Sequence, residues 1–213
     1  MRRTYAHLAI AILGFVAVTY GFMHTTAAAR YTFWALSGVN WLVVLGLFMV
    51  VGFITDRLAR SDTSVGLQYL GLALGVVAEA IIFTPLLYLA AFYAKDPFII
   101  QKAALFTILI FAGLTATVFI TRKDFSFLRG ILNIAAFAAL GLIVASILFH
   151  FTLGTIFSVA MIVLMAGYVL YQTSLLMAYV RPTQHVAAAL MLFSTIATLF
   201  WYVLRLLMSM QRN

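Results

Sequence analysis

The sequence predicts an all-α membrane protein, a seven-transmembrane-helix bundle with its N-terminus inside and its C-terminus outside. Three observations carry this. The chain of 213 residues is 66% hydrophobic and only 8% charged, with a mean hydropathy of +1.14. A soluble domain carries about a quarter charged residues, so a water-soluble fold would have almost nothing to cover its surface. The apolar residues form continuous runs long enough for helices of roughly 20 residues to cross a bilayer. They do not alternate over ten-residue stretches as barrel strands do.

The expected spans are residues 6–23, 32–54, 67–93, 99–121, 130–149, 154–180 and 186–208. The loops between them are too short to hold a soluble domain, so residues 1–213 read as a single polytopic membrane domain. The first span follows Arg2 and Arg3 and precedes Ala27-Ala28-Ala29, which looks like a signal peptide with a small-residue cleavage site. Its apolar run is longer than a usual signal-peptide core, and the span is expected to be retained. Breakers and charges end the other runs, including 55–66, Lys95-Asp96-Pro97, Arg122-Lys123-Asp124 and Arg181-Pro182.

Orientation follows from the basic residues. With the N-terminus inside, the inner segments hold Arg2, Arg3, Arg57, Arg60, Arg122, Lys123, Arg129 and Arg181, and the outer ones hold Arg30, Lys95, Lys102 and Arg212. Basic residues collect in cytoplasmic loops. The net charge of +8 is therefore read as topology. Nucleic acid is not an expected partner, because no basic stripe is interleaved with surface aromatics. The absence of cysteine excludes disulfides, thiolate chemistry and Cys-ligated metals.

With Lys102 assigned to the outer segment, Glu79 and Arg205 are the charged side chains within spans, and no lysine is left for a retinal Schiff base. Ionisable groups in a membrane are expensive and point to function. Glu79 follows Gly71 and Gly75 at intervals of four, so the three share one helix face. Small residues allow close helix approach, which directs Glu79 to the bundle interior. It reads either as a protonatable group in an ion path or as a protonated carboxyl holding helices together.

Two polar stripes follow. Ser158, Met161, Met165, Tyr168 and Gln172 share a face of span 6; Thr195, Thr198, Tyr202 and Arg205 share a face of span 7. Helix packing and a pore lining both account for such stripes. From the inner ends of their spans, Gln172 lies roughly 12 Å deep, Thr195 roughly 14 Å and Glu79 roughly 18 Å. These three are expected to converge, with Arg57 as the nearest candidate cation or gate. His24 and His150, both near the outer face, leave a haem or metal pair as the minor alternative to interfacial histidines. No metal site and no cofactor are expected.

The chain resembles the transmembrane Bax inhibitor motif family. Lys123-Asp124-Phe125-Ser126-Phe127-Leu128 resembles the family's loop opening span 5. Tyr168-Val169-Leu170-Tyr171-Gln172-Thr173 is similar to its Tyr-x-Leu-Tyr-Asp-Thr signature, and Glu79 with Thr84-Pro85-Leu86 to its Glu-Gly-x-x-x-x-Pro-Leu pattern. Leu199-Phe200 and Leu204-Arg205 are similar to its span 7 ending. The resemblance implies a central helix wrapped by the others, a cation leak that is chiefly for calcium, and a role in stress protection. It also implies a pair of aspartates in spans 6 and 7 that share a proton and gate the path, with an Arg at the end of span 2 as a latch. The sequence departs from that pattern at the pair. The two positions are Gln172 and Thr195, and neither side chain titrates near neutral pH. Arg57 matches the latch position approximately, and Glu79 is the acid left in the core.

The expected function is thus a Bax inhibitor-like cation (calcium) leak channel, or its non-pH-gated derivative, in ion homeostasis. The alternative is a non-conducting regulator that binds other membrane proteins, such as quality-control or protease complexes. The expected partners are the lipid bilayer, calcium or another cation, and other membrane proteins. The expected location is a bacterial inner membrane. No enzyme is expected: His-Glu-x-x-His is absent, and Ser146 and His150 are one turn apart without a Gly-x-Ser motif.

Overall fold

The computed structural model describes residues 2–61, 64–179 and 184–211. The expected end of span 6 at Val180, the Arg181-Pro182 break and Arg212 lie outside them. Among the described residues the chain is helical without strands: α1 (Arg2–Met23), α2 (Thr26–Ala35), α3 (Asn40–Ala59), α4 (Val65–Tyr93), α5 (Ile99–Thr121), α6 (Leu128–Leu148), α7 (Thr155–Tyr179) and α8 (His185–Met210). Seven of these, all but α2, are long and apolar enough to cross a membrane.

The second span requires a correction. It was expected at 32–54, but α2 ends at Ala35 and α3 begins only at Asn40. The break is made by Gly38 at φ +54°, a left-handed conformation that glycine adopts without steric cost. Asn40 secures it by donating from Nδ2 to the Trp34 carbonyl at 2.9 Å and to Ser37 Oγ at 3.0 Å. Ala28, Thr32 and Ala35 give α2 a fully buried face. The Ala27-Ala28-Ala29 triplet is thus helical, with its middle residue enclosed. At its other end α3 runs on to Ala59, so Asp56 and Arg57 lie in its last turns. Lys102, counted with the outer segment, lies near the start of α5.

The chain forms two compact units, Met1–Tyr88 with Tyr179–Ser194, and Leu89–Ala178 with Thr195–Asn213. The helices α4 and α8 contribute to both, and they are the most buried spans, at 56% and 72% of their apolar windows.

In the first unit, α1 buries Thr4, Leu8, Ala11, Phe15 and Thr19, one stripe at helical spacing. The Phe15 ring meets Phe83 of α4 edge-on at 5.2 Å and Phe193 of α8 at 6.0 Å. Helices α3 and α4 approach closely at Gly71, where a Cβ would lie 2.6 Å from the Ala59 nitrogen and 2.7 Å from the Thr55 oxygen. At Gly75 the neighbour is the tip of Leu190, 2.6 Å from such a Cβ. Helix α4 continues through Pro85. Proline supplies no backbone donor. One residue earlier, the Thr84 hydroxyl donates to the Ala80 carbonyl at 2.8 Å.

In the second unit, α5 buries Ile99, Ala103, Thr107, Thr115 and Val118. Helix α6 buries Leu132 and Ala139 and exposes Ile131, Ile134 and Phe137, the apolar exterior that a lipid-facing span requires. Leu132 fits over Gly167 of α7, 2.7 Å from a Cβ there.

Candidate functional site

The polar stripe of α7 faces protein. Ser158, Met161, Met165 and Gln172 are all buried, and so are Thr195 and Tyr202 of α8. The two helices meet at several points in the second unit. The Phe157 and Tyr202 rings lie 5.9 Å apart, edge to face, and Thr155 and Ser209 share a 3.2 Å hydrogen bond.

Further along the same two helices the Thr195 hydroxyl donates to the side-chain carbonyl oxygen of Gln172 at 2.9 Å. Gln172 is 6% exposed and Thr195 7%. A buried amide oxygen needs a donor, and threonine supplies one without charge. The pair therefore stays neutral at any working pH, because neither group gains or loses a proton there. Two carboxylates at the same positions would hold a shared proton and release it over some pH range.

Tyr168 and Arg205 of the two stripes are also hydrogen-bonded. Tyr168, half-buried, donates from its hydroxyl to Asn133 Oδ1 of α6 at 3.0 Å. Thr198, also half-buried, follows Thr195 on the same face of α8. Arg205, the charged member of the α8 stripe, is half-buried. Its Nη2 donates to the Leu153 carbonyl at 2.8 Å, closing the segment that leads into α7. Ser174, two residues from Gln172, donates to the Tyr171 carbonyl at 2.9 Å and accepts from the Phe125 backbone N–H at 3.2 Å.

Glu79 belongs to the first unit. It is 4% exposed, and its carboxyl is hydrogen-bonded to Ser194 of α8. The apolar stretch 186–193 draws attention away from Ser194, which lies off the Thr195–Tyr202 stripe. Its signal in the sequence was a small hydroxyl beside Thr195 at the end of an apolar run. Asn133, the partner of Tyr168, leaves a similarly slight trace, one amide within an apolar run.

Arg57, the candidate latch, is exposed and its guanidinium sits over the Phe53 ring, 5.0 Å from the centroid. Snorkelling along its own helix accounts for this placement. His24 Nδ1 lies 2.7 Å from the Tyr20 carbonyl oxygen, and His150 has a positive φ of 55° in the turn after α6. Ser146 donates its hydroxyl to the Ile143 carbonyl at 2.7 Å. Among the described residues, no three His, Asp or Glu side chains come together as a metal site would require.

Seven apolar spans and a neutral hydrogen-bonded pair buried between two of them define the class: a polytopic helical membrane protein with a polar contact in its core. The model of the family described as "Inhibitor of apoptosis-promoting Bax1" matches residues 1–213, and the chain belongs to this Bax inhibitor-1-like family. It is 26% identical to an uncharacterised protein of Pseudomonas aeruginosa over 207 residues, 97% of this chain and 76% of the relative. It is 28% identical to an uncharacterised membrane protein of Vibrio cholerae over 157 residues, 71% of this chain and 67% of the relative.

Proposed function

We propose that the protein is a cation leak pathway of the Bax inhibitor type whose polar pair does not gate with pH. The observation that carries this is the Thr195–Gln172 hydrogen bond. It occupies the positions where the family resemblance implies proton-sharing aspartates, and it is neutral and buried. Calcium is the expected ion, held weakly, since carboxylates supply most of the affinity for calcium and the pair offers only hydroxyl and amide oxygens. Glu79 is then the buried acid of the spans, with Ser194 as its partner. The excess of basic residues on one set of loops supports an N-in, C-out orientation in a bacterial inner membrane. The role is ion homeostasis under stress, without enzymatic chemistry.

A second reading is a non-conducting regulator that binds other membrane proteins. The same bond favours it, because a satisfied neutral pair is also what simple helix packing needs.

Calcium flux into proteoliposomes across a pH series separates the two. The leak reading expects flux above empty vesicles, reduced in Glu79→Gln. No flux at any pH would overturn it and leave the regulator. Flux unchanged in Glu79→Gln would remove Glu79 from the path.

A further inference from the structure

Charge is scarce in this chain, and where it is neutralised shows where it is not. Asp56 pairs with Arg60 at 2.8 Å. Asp96 pairs with Lys102. The loop between α5 and α6 differs. It carries Arg122 and Lys123, with Arg129 in the first turn of α6, and all three are exposed. None of them forms an ion pair with a described residue. The one acid in the loop, Asp124, is also exposed; its Oδ1 accepts from the Ser126 N–H at 2.8 Å and Oδ2 from the Ser126 hydroxyl at 3.0 Å, and the three cations outnumber it.

The backbone of this loop is held in place. Arg122 takes a left-handed conformation, φ 51° and ψ 25°, while its N–H still bonds the Val118 carbonyl. The Phe125 N–H is anchored on Ser174 of α7. The N–H groups of Leu128 and Arg129 are satisfied by the carbonyls of Phe125 and Ser126, so the attraction for anions resides in the three side chains. Beside them Phe125 and Phe127 form a ring pair at 6.4 Å, and Phe127 is 74% exposed. A cluster of cations next to an exposed aromatic, at the ends of two membrane spans, is complementary to a lipid with an anionic headgroup and acyl chains.

We propose that the α5–α6 loop is a binding site for anionic phospholipid, its headgroup held by Arg122, Lys123 and Arg129 and its acyl boundary met by Phe125 and Phe127. The loop is pre-organised by its Asp124–Ser126 and Phe125–Ser174 bonds, so little conformational freedom is lost on binding. The chemistry specifies a negative phosphate-bearing headgroup rather than a zwitterionic one.

The test uses the full-length protein in mild detergent, exposed to vesicles of equal phosphatidylglycerol and phosphatidylcholine, with retained lipid counted by native mass spectrometry. Wild type is expected to retain phosphatidylglycerol preferentially. The combined variant Arg122→Gln, Lys123→Gln, Arg129→Gln is expected to lose that preference by about tenfold or more. The charge-conserving variant Arg122→Lys, Lys123→Arg, Arg129→Lys is expected to keep it, as is Arg60→Gln, whose charge is already paired. A preference that survives in the glutamine variant overturns the proposal, as does one lost equally in Arg60→Gln. Should the glutamine variant not fold, wild type still decides: the preference must weaken as salt rises, and a salt-independent preference overturns the proposal. Displacement of the lipid by inorganic phosphate at constant ionic strength would make this a free-phosphate site and also overturn it.

Discussion

The Thr195 hydroxyl of α8 reaches the Gln172 side-chain oxygen of α7 at 2.9 Å, joining two buried residues 23 positions apart. The bond replaces what two acids would do electrostatically with what two neutral groups do by hydrogen bonding. Its energy and its pH behaviour are both measurable.

Interhelical hydrogen bonds in membranes are worth about 0.6 kcal/mol on average and up to about 1.7. Thr195→Val and Gln172→Leu are each expected to destabilise the protein by about 1 kcal/mol, with a coupling within that range in the double variant. Unfolding equilibria of the four proteins in detergent give the cycle. Strict additivity would mean that the bond contributes nothing.

Introducing aspartate at both positions, Gln172→Asp with Thr195→Asp, should install a coupled acid pair that takes up one proton over a pH range where the wild-type pair takes up none. In proteoliposomes the double variant is expected to show a pH-dependent step in calcium flux. The contribution of the wild-type pair stays flat. Identical pH profiles for the two proteins would separate these positions from gating.

The glycines of α4 differ in what surrounds them. A Cβ at Gly71 meets the backbone of α3 at 2.6 and 2.7 Å, whereas at Gly75 it meets the flexible end of Leu190. Backbone cannot step aside as a side chain can. Gly71→Ala is therefore expected to cost about 1–3 kcal/mol. Gly75→Ala should fall within about 1 kcal/mol of wild type, since alanine also favours the helix. Thermal unfolding in detergent ranks them, and the reverse order would contradict the packing described.

Arg205 closes the Leu153 carbonyl. A hydrogen bond from a charged donor to a part-buried acceptor is worth about 1.5–3 kcal/mol. Arg205→Met is expected to lower stability by roughly 1–2 kcal/mol. Hydrogen exchange at the start of α7 should rise. Unchanged exchange there would mean that Arg205 serves only as an interfacial anchor.

Asp96 lies in the loop between α4 and α5. The Lys102 ammonium, and then the Phe98 N–H, hold its carboxyl below its ordinary value of 3.8. A depressed value in the folded state adds stability above the unfolded value and loses it as pH falls through the folded one. Wild type should therefore exceed Asp96→Asn in unfolding temperature at neutral pH, with the gap closing only at acid pH below 3.8. A gap that widens on acidification would reverse the assignment.

Much of the fold could be read from the residues because lipid leaves few alternatives. A continuous apolar run must satisfy its own backbone, and a helix is the way to do so. Six of the seven spans accordingly lie within a few residues of their expected bounds among the described residues. The second did not, because hydropathy averages over Ser37, Gly38 and Asn40, while the backbone responds to a single glycine at φ +54°. The candidate pair was legible too, since helical spacing placed Gln172 and Thr195 on polar faces. Ser194 was not, as a single hydroxyl carries little weight in a pattern.

Composition and periodicity were enough for the class, the number of spans and the neutral character of the Gln172–Thr195 positions. These are properties of residue type and spacing. Partners were another matter. That Thr195 bonds Gln172, that Glu79 finds Ser194, that Arg205 turns to Leu153 and that Gly71 meets the backbone of α3 were settled by three-dimensional packing. A hydrogen bond depends on angstrom-scale placement of two groups far apart in the chain, and spacing along a single helix holds no record of that.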